Sequence, residues 1–327
     1  MPSSRPREPA AVAGDGGSAP YALTFASQAA VGRDLHKQQK LHLKRLIITA
    51  DDFGASVPIN EAVEQAHRDG VLSAASLMVG APAMADAVER ARQLPALGVG
   101  LHLTLVDSTP VLAPSQIPWL VGPDGRFAND PVRFGLRLFF SPTMRRQAEA
   151  EIRAQFERFR ATGLPLDHVN GHQHFHMHPV VTRAIARIAP EFGSPPVRIP
   201  LEPLRHASAP AADRFIERLA SWLFYAVQTS PMRRRLAATG LPLNDYVFGV
   251  TDSGAMVERR LLQLLEHLPD GVTELYCHPA TRRWQGPDNL PAHYRPEDEL
   301  AALVSAKVSS KLAAAGVQPV SFRKAFA

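Results

Sequence analysis

The chain has 327 residues, 45% of them hydrophobic and 20% charged, which suits a globular protein with a sizeable core. Its net charge of +5 is concentrated at the start: residues 1–45 hold seven Lys/Arg against three Asp/Glu, leaving 29 basic and 28 acidic groups elsewhere. The sequence has no apolar run of the ~18 residues a membrane span needs and no basic stripe interleaved with aromatics that would mark nucleic-acid binding. Its one cysteine, Cys277, rules out a disulfide framework and makes a cytoplasmic location the default.

Residues 1–43 are rich in Ala, Gly, Ser and Pro and lack hydrophobic periodicity, so a disordered basic tail is expected there, ahead of a domain over 44–327. A secretory signal is the competing reading, but Tyr21 to Val31 is too polar for its apolar core. Leu46 to Ala50 is a short apolar, β-branched run, the pattern of a strand covered on both faces. Asp51-Asp52-Phe53-Gly54 follows, then a helical stretch from about Val57 to Asp69 that ends at Gly70. Ala74 to Val79 reads as a strand, Met84 to Leu94 as a helix, and Val99 to Leu105 as a third strand.

Residues 110–143, with several prolines and the turn Gly122-Pro123-Asp124-Gly125, read as a long excursion without regular structure. A helix from about Arg145 to Ala161 comes next, and Leu166 to Val169 opens another strand. Later strands are expected at Val197–Ile199, Tyr246–Val250, Thr273–Cys277 and Val317–Ser321. This alternation predicts a parallel sheet covered by helices, closed or nearly closed into a (β/α) barrel, with a doubly wound open sheet as the alternative.

Polar residues cluster where strands should end, which is where parallel α/β folds gather their active sites. Asp51 and Asp52 end the first strand. In Gly98–Leu105, alternation puts Gly100, His102 and Thr104 on one face, and the small glycine suggests room for something other than a side chain. Asp167–Pro179 carries His168, His172, His174, His176 and His178, all on one side if the segment is extended. His278 closes Glu274-Leu275-Tyr276-Cys277-His278-Pro279, the right place for an acid. Imidazoles with a carboxylate and an open position make a hydrolytic metal site. Each cluster also has a plainer explanation. The aspartates could cap a helix, His102 and His278 could be core residues, and the histidine run could be a surface metal tract. Four such clusters at four strand ends of one chain favour a site.

The strings Ile48–Gly54, Gly98–Thr104, Asn170–His176 and Glu274–Pro279, in that order, resemble the YdjC-type carbohydrate deacetylases over nearly all of Lys44–Ala327. Val57–Val63, His172–His176 and Asp252-Ser253-Gly254 are most similar to the hopanoid-biosynthesis-associated members. The resemblance implies a single α/β domain, a distorted (β/α) barrel of about seven strands, and a divalent metal, magnesium or zinc, held by Asp52, His102 and His172. It also implies Asp51 as the base that deprotonates the attacking water and His278 as the acid for the leaving amine. Many relatives have Asp where this chain has Asn170, an exchange that keeps a hydrogen bond to a ligand but makes the site less negative. The implied substrate is an acetylated amino sugar, and among the hopanoid-associated members an N-acetylglucosaminyl hopanoid glycolipid. The implied assembly is a homodimer.

Leu219 to Val227 is apolar on all sides and Arg233-Arg234-Arg235 follows, which fits a buried helix or peripheral contact with the inner membrane. A glycoside hydrolase using two carboxylates and a non-catalytic sugar- or metal-binding protein are the rival function classes.

Overall fold

The computed structural model describes residues 44–203, 215–284 and 290–327, with side chains 215–222 and 224 excepted; the tail expected over 1–43 lies outside the described residues. Strands β1 (Lys44–Phe53), β2 (Ala74–Leu77), β3 (Gly98–Leu103), β4 (Val169–Gly171), β5 (Tyr246–Phe248) and β6 (Gly271–Cys277) form one sheet in the order β4-β3-β2-β1-β6-β5. Every pairing is parallel. Parallel strands need long crossovers, and helices supply them. These are α1 (Val57–Arg68), α2 (Met84–Arg92), α3 (Pro131–Phe140), α4 (Pro142–Ala161), α5 (Pro179–Ile188), α6 (Phe215–Ala237), α7 (Glu258–Glu266), α8 (Pro296–Leu303), α9 (Ala306–Ala314) and α10 (Phe322–Phe326).

A short seam joins the sheet's two edges. Val197 bridges in parallel to Val169 on one side and Leu243 on the other. Val169 N donates to Pro196 O, Arg198 N to Val169 O, and Val197 N to Pro242 O. The segment around Val197 therefore serves as a seventh strand, and the sheet curls into the distorted (β/α) barrel expected from the sequence.

Alternation along the strands divides the interior in two. Leu46, Ile48, Ala50, Val99, Leu101, Val169 and Leu275 point outward and pack with Ile59, Val63, Ile152, Phe156 and Ile185 of the helices. Ile47, Ala74 and Val272 point inward and meet Phe322 and Ala325 of α10, which plugs the barrel at the strands' N-terminal end. Asp167 holds the plug by accepting from Phe322 N and Arg323 N, both at 3.0 Å. Above it the ring of His168 stacks on Phe322, with centroids 4.3 Å apart, and lies 3.0 Å from Ser76 Oγ.

The space left by Gly100 is filled by that histidine. A Cβ at Gly100 would sit 2.4 Å from the His168 ring, so the missing side chain makes room for a neighbour and not for a ligand. Gly100→Ala should lower stability by about 1–3 kcal/mol, as other overpacked cores do, measured by chemical denaturation.

Two expected elements differ in the structure. Val317–Ser321 forms no strand: Val320 N donates to Leu46 O, Pro319 has no N–H to extend a ladder, and Ser321 instead caps α10. The excursion over 110–143 does contain regular structure, since Pro131 starts α3 and the Asp130 side chain accepts from Val132 N and Arg133 N.

Candidate metal centre

Strand β1 would ordinarily send Asp51 and Asp52 to opposite faces. Its register against β2 shifts between Ala50 and Phe53, and Asp52 has φ of 61°, in the left-handed region that non-glycine residues rarely occupy. The bulge turns Asp52 back, so that both carboxylates reach the same cavity. Neither caps the following helix, whose N-cap residue is Ser56. Strain of this kind costs about 1–3 kcal/mol and persists where surrounding structure enforces it.

Asp52 Oδ1 lies 2.9 Å from His172 Nδ1 and 3.3 Å from His102 Nε2. Donor atoms of Asp52, His102 and His172 all fall within 4.8 Å of one another, the arrangement of a mononuclear metal site. The residues hydrogen-bonded behind His102 support this fit. Asn170 Nδ2 donates to Ser76 Oγ at 2.8 Å and to Asp51 Oδ1 at 3.3 Å, which turns its Oδ1 toward His102 Nδ1, 2.7 Å away. His102 then donates from Nδ1 to Asn170 Oδ1, which directs Nε2 toward the Asp52 carboxylate. That nitrogen, the Asp52 carboxylate and His172 make a donor set that could hold a divalent cation.

A buried arginine that the sequence reading did not single out organises the other aspartate. Arg198 Nη1 and Nη2 donate to Asp51 at 2.6 and 2.9 Å, while Nε and Nη2 donate to Glu274 at 2.8 and 2.5 Å. The guanidinium also lies over the Tyr276 ring, 4.7 Å from its centroid. Burial works to raise the Asp51 pKa, but Arg198, with help from His102, overcomes it and holds the carboxyl well below the usual range. Asp51 is thus ionised at any working pH. A charged residue inside the apolar string Val197-Arg198-Ile199, matched by Glu274 within β6, was the signal that could have revealed the pair.

His278 stands at the end of β6, its backbone N–H donating to Glu299 Oε2 at 2.6 Å and its ring packed between Tyr276 and Tyr294. Burial lowers its pKa against the opposing pull of Asp52 and Asp51. Its Nδ1 is buried without a hydrogen-bond partner among the described residues. The His278 residue itself is among those that line the cavity.

The histidine run does not stay extended. After Gly171 it winds into a 3₁₀ turn, His172–Met177, with Gln173 and His174 at φ of 50° and 54°. Its side chains therefore separate. His172 joins the metal cluster, His174 Nε2 lies 3.0 Å from the Tyr276 hydroxyl, His176 Nε2 lies 3.0 Å from Arg198 O, and His178 caps α5. Burial lowers the pKa of both His174 and His176, which are structural imidazoles.

Asp51, Asp52, His102, His172 and His278 all line one cavity of about 340 Å³, together with Tyr225, Ser253, Tyr276, Leu290 and Tyr294. Next to its wall, Glu202 Oε2 accepts from Thr251 N at 2.8 Å, while Oε1 has no partner among the described residues. Burial, aided by Asp252, pushes the Glu202 pKa up to about 7 from 4.5. A carboxyl with a raised folded-state pKa gives stability that is present below pH 4.5 and lost as pH rises through 7. Glu202→Gln should flatten the stability–pH curve over that window by up to about 3 kcal/mol, checked by denaturation at pH 5 and pH 8.

Comparison with known proteins places these residues in a family. The YdjC-like protein family profile matches residues 45–314. A carbohydrate deacetylase of Geobacillus stearothermophilus is 29% identical over 279 residues, 85% of this chain and 96% of that protein. One from Brevibacillus brevis is 40% identical over 156 residues, 48% of this chain, and the match spans only 59% of that protein's own length. A crystal structure from Enterococcus faecalis V583, provisionally described as a cellobiose-phosphate cleavage protein, covers 86% of this chain and 98% of its own, with a TM-score of 0.63 and 23% identity. That likeness concerns the fold alone. With the family profile running from the second residue of β1 to the end of α9, and the metal cluster inside it, the chain belongs to the YdjC-like family.

Proposed function

We propose that the chain is a divalent-metal-dependent carbohydrate N-deacetylase that removes the acetyl group from an amino-sugar moiety. The observation that carries the reading is Asp52 Oδ1 facing two imidazole nitrogens, with Asp51 and His278 lining the same cavity. The relatives from Geobacillus and Brevibacillus, both carbohydrate deacetylases, support the same reaction class.

Asp52, His102 and His172 would hold the metal, and a divalent cation bound there would supply Lewis acidity toward the acetyl carbonyl and the attacking water. Asp51, fixed by Arg198 and already charged, takes a proton from the attacking water. The C–N amide bond breaks, and His278 hydrogen-bonds the departing nitrogen and delivers the proton that makes it a free amine. Two imidazoles and a carboxylate suit zinc on ligand grounds, and magnesium is the other candidate. The cavity is at the small end of ligand sites, about 300–1,000 Å³, a size for one sugar ring with the tyrosines against its faces.

The finer substrate reading is an N-acetylglucosaminyl hopanoid glycolipid handled at the cytoplasmic side of the inner membrane, with chitooligosaccharides as the soluble alternative. Leu223 and Val227 of α6, 50% and 71% exposed, are apolar surface compatible with a lipid tail; the Trp222 and Phe224 side chains, part of the same expectation, lie outside the described residues. No helix among the described residues is long and apolar enough to cross a membrane.

Acetate release from a panel of acetylated glycolipids and chitooligosaccharides is the deciding experiment. Release should stop with a chelator and return with added metal. Activity that survives chelation would favour a glycoside-hydrolase type of site, and a metal-loaded protein releasing no acetate would leave a binding function.

A further inference from the structure

Helix α3 carries an apolar stripe on its outside. Val132, Leu136, Phe139 and Phe140 are 73%, 59%, 45% and 73% exposed, while Phe134 and Leu138 on the opposite side are buried. At 3.6 residues per turn the four exposed positions share an arc of about 100°. Arg133 and Arg137, both exposed, lie along one edge of that arc. From Pro131 to Ala148 the sequence has four arginines, Arg133, Arg137, Arg145 and Arg146, and no Asp or Glu. None of the four has an ion pair among the described residues.

Topology puts this helix at the catalytic end of the barrel. It lies between the C-terminal end of β3 and the start of α4, on the side of the strand ends that hold His102 and His172. It is also tied to the histidine run: Phe134 packs on Phe175 with centroids 5.5 Å apart, and His178 Nε2 lies 3.1 Å from Gly135 O. Helix α3 is therefore anchored to the segment that carries the cavity-lining His172.

We propose that α3 docks the protein on an anionic lipid surface, with the stripe entering the headgroup boundary and the arginines meeting lipid phosphates. Charge decides among occupants. A second copy on a two-fold axis would set this arginine edge against itself, and residues 1–45, with a net charge of +4, carry the same sign of charge as that edge. Apolar residues in an interface beside a basic edge are the composition of a helix that lies in the membrane plane. The proposal stands on this surface alone and holds whatever substrate the cavity takes.

The test is flotation of the full chain with vesicles of phosphatidylcholine alone or mixed with phosphatidylglycerol, alongside sedimentation velocity of the lipid-free protein. Binding to the anionic vesicles is expected, weakened by high salt, and reduced about fivefold per charge in Arg133→Gln and Arg137→Gln. Leu136→Ser with Phe140→Ser should abolish it, while acetate release from a soluble acetylated sugar stays at the wild-type level. Equal binding to neutral vesicles, or no binding to anionic ones, overturns the proposal. So does a wild-type dimer that the Phe140→Ser variant converts to monomer, since a second copy would then cover the stripe.

Discussion

Asp51→Asn should leave metal content unchanged and lower acetate release by about 10²–10⁴-fold, the usual worth of a positioned general base. Asp51 touches no metal donor; its two oxygens go to Arg198 and Asn170. An asparagine there can still accept from the guanidinium, but it cannot take a proton. Asp52→Ala should behave differently, losing the metal and the activity together, because Asp52 Oδ1 is the one carboxylate oxygen shared by both imidazoles. Metal analysis of the purified variants, paired with thermal unfolding, separates the two aspartates. A folded Asp51→Asn protein without metal would end the division of roles.

Arg198→Met should be the most destabilising single change, at about 3–5 kcal/mol, because removing one partner of a buried ion cluster strands the others. In a domain of this size that corresponds to a fall in Tm of roughly 10 °C. Asp51 and Glu274 would then share a dry layer with no counter-charge. The pH dependence gives the effect a signature. In the wild type the Asp51 pKa is depressed, so its contribution is present above pH 3.8 and lost below it. Without the arginine, burial raises that pKa, and stability recovers as pH falls toward it. The deficit of Arg198→Met relative to wild type should therefore shrink on acidification, as followed by denaturation at several pH values. A deficit independent of pH would mean that packing, not charge, holds the layer.

The cluster of Asp52, His102 and His172 was legible in the sequence because chemistry and strand ends coincide. Asp51, Asp52, His102 and His278 sit at the ends of apolar runs that could hardly be anything but buried strands. Arg198 was not legible in the same way, since its partners lie 76 and 147 residues distant in sequence and a single charged residue does not name them. The histidine run misled on geometry. Alternation assumes an extended backbone, and nothing in His172-Gln173-His174 announces two consecutive left-handed residues. The same is true of Asp52, whose bulge both departs from the β pattern and brings the second carboxylate into the cavity. Val317–Ser321 failed for a reason that was present in the sequence, the proline at its centre.

The seam around Val197 bears on how the ring opens. Isolated bridges and a few main-chain bonds join it to its neighbours, whereas β1 and β6 share a seven-residue register. Arg198 lies in that seam, and its side chain crosses the lumen to β1 and β6. The charged layer is thus a latch as well as a scaffold for Asp51. Local opening, which follows the weakest contiguous unit of a structure, would begin at the seam and release Asp51 in the same event, so the barrel cannot come apart there with Asp51 still held in place.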